Sequence, residues 1–227
     1  MLAARSEGEL EEVRREVTAL GCEALAVPTD IREAQSVEAL ASQTLAHFQR
    51  ADILVNNSGV AGPTAPLWEI TPEAWEDTFA VNVTGTFLCC RAFLPHMIQQ
   101  NSGCIVITGS MTGKRPLLGR TPYASSKLAL VGLARTLAWE IGKYGIRVNV
   151  ISPGPVEGAR IEMVFRKQAD IKGVSVDEVR EAFLRDSPLH QLTLADDVAA
   201  TAVFLASDQA NSITGEDLNI SAGITMY

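Results

Sequence analysis

A chain of 227 residues fits one α/β domain and can bury a substantial core. Its net charge of −8 argues against a nucleic-acid partner or an anionic membrane surface. With 47% hydrophobic and 20% charged residues it reads as an ordinary globular protein. No apolar run is long enough to span a bilayer. The opening M-L-A-A-R-S-E-G-E-L lacks the cationic and apolar segments of a signal peptide.

Strand and helix signals alternate along the chain. Residues 6–20 predict an amphipathic helix and Glu23 to Thr29 a strand. A helix follows Asp30 to about His47, and Ile53-Leu54-Val55 predicts a short buried strand ending in N-N-S-G. Thr71-Pro72-Glu73 has the cap-then-proline signature of a helix start. A long helix is expected over 81–99, and a buried strand at Cys104 to Ile107. The next helix carries Tyr123 and Lys127 to about Gly142, and a strand at Ile146 to Ile151 runs into Pro153-Gly154-Pro155. Residues 157–190 predict a mobile insertion with two short helices, whose Met163, Phe165, Phe183 and Leu184 can form an apolar lid. A last helix at 195–206 and a strand at 217–221 close the chain. Short apolar strands between helices predict a parallel sheet covered on both faces, in a single domain over 1–227.

Cys22, Cys89, Cys90 and Cys104 form no C-x-x-C pair and are expected to be buried free thiols of a cytoplasmic protein. His47, His96 and His190 are scattered, so no metal site is expected.

The chemistry centres on P-Y-A-S-S-K. Tyr123 and Lys127, four residues apart on a helix, share a face. A cation beside a phenol favours the phenolate, which suits the side chain to proton transfer near neutral pH. Ser110, at the end of the preceding strand, can hold a carbonyl or alcohol oxygen beside it. Tyr-x-x-x-Lys alone is a weak signal, since the spacing arises often on solvated helices.

The N-terminus departs from the pattern of a doubly wound nucleotide-binding fold, which opens strand, glycine-rich turn, helix, strand. Met1 to Arg5 reads as the end of a second strand, with no such turn upstream of the helix at 6–20. Roughly thirty residues of a βαβ unit are then absent, including the strand expected mid-sheet. A chain without that turn is expected to hold a pyrophosphate poorly and to be weakly active.

Taken together, these residues resemble the classical short-chain dehydrogenases/reductases over nearly the whole chain. N-N-S-G at 56–59 is similar to the family's N-N-A-G, with Ser58 replacing alanine. Asn82, Ser110, Tyr123 and Lys127 match the catalytic tetrad in order and spacing. Pro153-Gly154-Pro155-Val156 resembles the P-G-x-V segment along the nicotinamide, and Asp30-Ile31 the pair that reads the adenine edge. Gly158 stands where the family often has threonine.

The resemblance implies a Rossmann-like doubly wound parallel sheet in three α/β/α layers, lacking its N-terminal strand. It implies hydride transfer between an alcohol and a carbonyl, with Tyr123 as general acid/base, Lys127 holding the nicotinamide ribose, Ser110 orienting the substrate oxygen and Asn82 keeping a helix distortion. The cofactor would contact Arg5, Asp30, Ile31, Asn57, Ser58, Gly59, Tyr123, Lys127, Pro153, Gly154 and Val156. Arg5, with no acid beside it, favours NADP over NAD. Homodimers or homotetramers are implied through the helices at 82–99 and 121–142. Lys114, Arg115, Arg120, Arg160, Arg166 and Lys167 would border the substrate mouth, where they can select an anionic substrate. The alternative is a non-catalytic relative that keeps the tetrad by inheritance and serves as a binding or assembly partner.

Overall fold

The computed structural model describes residues 1–227. In chain order the elements are β1 (Leu2–Ala4), α1 (Glu7–Ala19), β2 (Ala26–Pro28), α2 (Ala34–Phe48), β3 (Ile53–Asn56), α3 (Pro72–Phe79), α4 (Gly85–Gln100), β4 (Gly103–Thr108), α5 (Thr121–Ile141), β5 (Ile146–Pro153), α6 (Ala159–Lys172), α7 (Val176–Asp186), α8 (Ala195–Ala206) and β6 (Asp217–Ile220). A π-helical turn, Ala80–Thr84, joins α3 to α4.

All strand pairs are parallel, in the order β3-β4-β5-β6, with β1 and β2 paired only to each other. Strands β4 and β5 read as continuous apolar runs because helices cover both of their faces. Ile105 and Ile107 pack with Phe93, Met97, Leu130 and Ala134 of α4 and α5. Cys104 and Val106, pointing the other way, pack with Leu205 of α8. The result is a three-layer α/β/α domain of Rossmann-like architecture.

Local chemistry sets the element ends. Thr71 caps α3, its hydroxyl accepting the Ala74 N–H at 3.2 Å, with Pro72 in the first turn where its missing N–H costs nothing. Ser175 and Glu178 form a reciprocal capping box at α7.

Two expectations need correction. The strand at Ile53-Leu54-Val55 is not fully buried: Ile53 is 52% exposed and Val55 49%. Their register partners are Cys104 and Val106, so they share the α8 face. Helix α8 lies over β4 and β5, leaving that face of β3 without a cover. The sheet is interrupted, with no strand between β1 and β3, in keeping with the expected lack of a mid-sheet strand. A cleft of about 550 Å³, lined by Met1, Ala3, Leu40, Leu54 and Phe93 among others, separates them. Lastly, Cys22 is exposed, whereas Cys89, Cys90 and Cys104 are buried as free thiols. Burial pushes the Cys89 thiol up to about 11 and the Cys90 thiol up to about 12, which leaves both inert near neutral pH.

Helices α6 and α7 do more than lie over a loop. Phe165 and Phe183, their ring centroids 5.2 Å apart, form a second core with Met111, Val179 and Leu192. Met163 instead points outward, 55% exposed. The insertion is therefore anchored on the residue that follows Ser110.

Candidate active site

Strand β4 delivers Ser110. A Cβ on Gly109 would lie 2.7 Å from Val150 Cγ1 and 2.8 Å from Ser152 Oγ, so glycine lets the strand end close on β5. Ser110, in extended conformation, then caps a short 3₁₀ turn at Met111–Gly113, and its Oγ accepts the Thr112 N–H at 3.2 Å. A Cβ on Gly113 would meet the Leu128 backbone nitrogen at 3.1 Å, so this turn rests directly on α5.

Helix α5 delivers the other two groups. Tyr123 sits in its first turn behind Pro122, and Lys127 one turn later. Lys127 is 4% exposed; its Nζ donates to the Thr108 carbonyl at 2.7 Å and stands 5.9 Å from the Tyr123 ring centroid. Burial, followed by the nearby Arg160 charge, lowers the ammonium to about 8, within reach of physiological pH.

Asn82 stands behind this face, fully buried at the π-turn. Its Oδ1 accepts the Val60 N–H at 2.8 Å, and its Nδ2 donates to the Val60 carbonyl at 3.1 Å and to Ser126 Oγ at 3.0 Å. Ser126 in turn donates to the Tyr123 carbonyl at 2.8 Å. One side chain thus ties the loop after β3 to the helix that carries Tyr123. Sequence reasoning overlooked Ser126, although it directly precedes Lys127 in Y-A-S-S-K, and overlooked Thr108, whose contribution is a carbonyl with no side-chain signal.

Ser110, Tyr123 and Lys127 line a single cleft of about 830 Å³, together with Asn57, Gly59, Pro153, Gly154 and Val156. The P-G-P-V segment is rigidly held: a Cβ on Gly154 would lie 2.8 Å from Ser221 Cα, and Val156 bridges to Thr193. Asn57 accepts the Thr108 hydroxyl at 3.1 Å. Arg120 also faces this cleft, its guanidinium carbon 4.5 Å above the Tyr123 ring centroid.

The remaining residues expected to contact a cofactor lie elsewhere. Ile31 and Ser58 line the cleft between β1 and β3, which Asn57 shares. Asp30 and Arg5 follow β2 and β1. The Asp30 carboxylate is engaged by Arg32 at 2.6 Å, and that hydrogen bond lowers it to about 2. Arg5 is exposed and makes no ion pair within 4 Å, but its charge is felt at Asp30. Of the cations near the mouth, Lys114 pairs with Asp217 at 2.9 Å and Arg115 with Asp186.

Comparisons with known proteins find similar chains over nearly the whole length. The family described as enoyl-(acyl carrier protein) reductase matches residues 1–225. A 3-oxoacyl-(acyl-carrier-protein) reductase of Staphylococcus aureus is 30% identical over 223 residues, 98% of this chain and 86% of that protein. The fold superposes on an NAD⁺-bound xylitol dehydrogenase with a TM-score of 0.94, at 28% identity, covering 98% of this chain and 87% of the other. It superposes on an actinorhodin polyketide ketoreductase crystallised with NADPH with a TM-score of 0.93, at 30% identity, covering 99% and 87%.

Proposed function

Because the chain belongs to the classical short-chain dehydrogenase/reductase family, we propose that it interconverts an alcohol and a carbonyl with a nicotinamide dinucleotide, Tyr123 carrying the proton. The observation that supports this most is the convergence of Ser110, Tyr123 and buried Lys127 on one cleft, with P-G-P-V along its wall.

The residues fit the ribose–nicotinamide half of such a cofactor. Lys127 spends one of its three N–H donors on Thr108, leaving two for a ribose diol. The bound cofactor would supply or accept the hydride. For carbonyl reduction, the Tyr123 O–H would donate to the oxygen as the carbon gains hydride, leaving a phenolate that buried Lys127 stabilises. For alcohol oxidation, the phenolate would take the hydroxyl proton as the carbon loses hydride. Ser110 Oγ would hold the substrate oxygen, and Asn82 would keep Tyr123 in place through Ser126. The relatives include both NAD⁺- and NADPH-bound proteins. Here the unpaired Arg5 after β1 supports NADP as the preferred form, since a guanidinium suits a 2′-phosphate.

Self-association through α4 and α5 belongs to the same reading. It is supported by Phe87, Leu128 and Trp139, which stand 47%, 50% and 91% exposed on these helices. A monomeric mass by light scattering at micromolar concentration would contradict it.

The test of the activity is the absorbance of NADPH or NADH against a panel of ketones, aldehydes, oxo acids and oxoacyl thioesters. Carbonyl-dependent oxidation of the cofactor is expected. Folded protein that neither binds nor oxidises either cofactor would favour the non-catalytic alternative.

A further inference from the structure

Like Lys127, Arg120 is a buried cation of the substrate cleft without a counter-charge, and unlike Lys127 it keeps a buried N–H without a partner. Arg120 is 4% exposed, and no carboxylate lies within 4 Å. Its single hydrogen bond runs from Nη1 to Thr64 Oγ1 at 3.2 Å, and its Nε is buried without a partner. The setting makes this worse. Arg120 occupies the N-cap position of α5, where the helix dipole is positive and the first turn holds no acid. The Lys127 ammonium and Arg160 line the same cleft, and its one acidic wall residue, Glu157, is exposed and unpaired. The cleft is thus cationic in a chain whose net charge is −8.

Other cations of the molecule show what is missing. Arg14 grips Glu11, and Arg50 grips Asp52, through the Nε–Nη2 edge of the guanidinium. Arg147, also partly buried, donates to the Ser207 and Ile213 carbonyls. Arg120 has the same Nε–Nη2 edge without an acceptor, since only Nη1 is used. Stacking on the Tyr123 ring, 4.5 Å away, occupies the guanidinium face; Nε is enclosed, whereas Nη2 is not and has no acceptor.

We infer that Arg120 is a specificity residue which binds a carboxylate of the substrate, so that this enzyme acts on short hydroxy or oxo acids. The inference rests on the reading of Tyr123 as the proton carrier. The spacing then limits the substrate: a carboxylate on a guanidinium stacked over the Tyr123 ring lies within a few carbons of an oxygen held at the Tyr123 hydroxyl. Nη2, which has no acceptor, would meet a carboxylate oxygen in a charge-assisted hydrogen bond, and the anion would offset part of the buried cation's desolvation penalty. Arg160, at the exposed rim, adds long-range attraction.

The experiment pairs 2- and 3-hydroxy acids with their methyl esters, assayed with NAD⁺ and NADP⁺. Malonate and its neutral diamide serve as binding probes read by melting temperature. Wild type is expected to favour acid over ester by ~10²-fold or more in kcat/KM, and malonate alone to stabilise it saturably. Arg120→Gln should collapse the acid-to-ester ratio towards unity and abolish the malonate effect, with Arg120→Lys restoring part of both. Arg120→Gln should also melt no lower than wild type, because an unpaired buried charge has been removed. A lower melting temperature, with acid preference retained, would assign Arg120 a purely structural role and overturn the inference. Tyr123-dependent oxidation of neutral alcohols without acid preference would overturn it while leaving the proposed activity intact. Malonate binding lost in Arg120→Gln, with no oxidation of any alcohol, would sustain the anion site and overturn the activity instead.

Discussion

Gly59 passes so close to Lys127 that a Cβ added there would stand 3.3 Å from the ammonium nitrogen and 3.2 Å from Asn82 Oδ1. The loop after β3 therefore presses on the cation of the site and on the residue that braces it. Gly59→Ala forces one of these buried groups to move, at a cost of about 1–3 kcal/mol typical of overpacking. A fall in kcat/KM of roughly tenfold or more is expected, because small misplacements of site groups carry large kinetic penalties. Steady-state kinetics with a melting curve would check it; unchanged kinetics would show that the contact yields freely.

Lys127 gives the protein a distinct pH signature. Its folded value of about 8 lies below the ordinary 10.5, so between these limits the unfolded chain binds the proton more readily. The stability linked to this group is fully present above about 10.5 and is lost as pH falls through about 8. Wild type should therefore gain on Lys127→Met as pH rises across that window. Denaturant midpoints at pH 7.5 and 10 would measure it, and a constant difference between the two proteins would contradict it.

Asn82→Ala removes the partner of both the Val60 N–H and the Val60 carbonyl, along with the link to Ser126. The loss should be about 1–3 kcal/mol of stability, from polar groups left unpaired. Activity should fall further than stability does, because Tyr123 loses its brace. Denaturant unfolding and kcat on the same preparation separate the two effects.

The uncovered face of β3 makes two isoleucines unequal. Ile105→Ala, at a fully buried site, should cost about 2–5 kcal/mol. Ile53→Ala, at a half-exposed one, should cost less than about 1 kcal/mol. Equal losses would mean that something covers Ile53 in solution.

The order of elements was legible because apolar strands and amphipathic helices differ in period, and the final helix at 195–206 fell where its pattern placed it. The exposure of Ile53 and Val55 was not, because residue type records an apolar surface but not whether anything lies over it. For the same reason Cys22 looked like a core thiol. Ser110, Tyr123 and Lys127 were readable because spacing along one helix and position after one strand carry over into space. The isolation of Arg120 was not readable, since six cations near the mouth look alike until Lys114 and Arg115 are seen to have acids beside them.

The central claim is that the Tyr123 hydroxyl carries the proton. It is tested most directly by Tyr123→Phe, which removes that one oxygen, under single turnover with cofactor binding measured in parallel. Hydride transfer should slow by ~10²–10⁴-fold while cofactor affinity and melting temperature stay near wild type. A variant that transfers hydride at the wild-type rate would contradict the account.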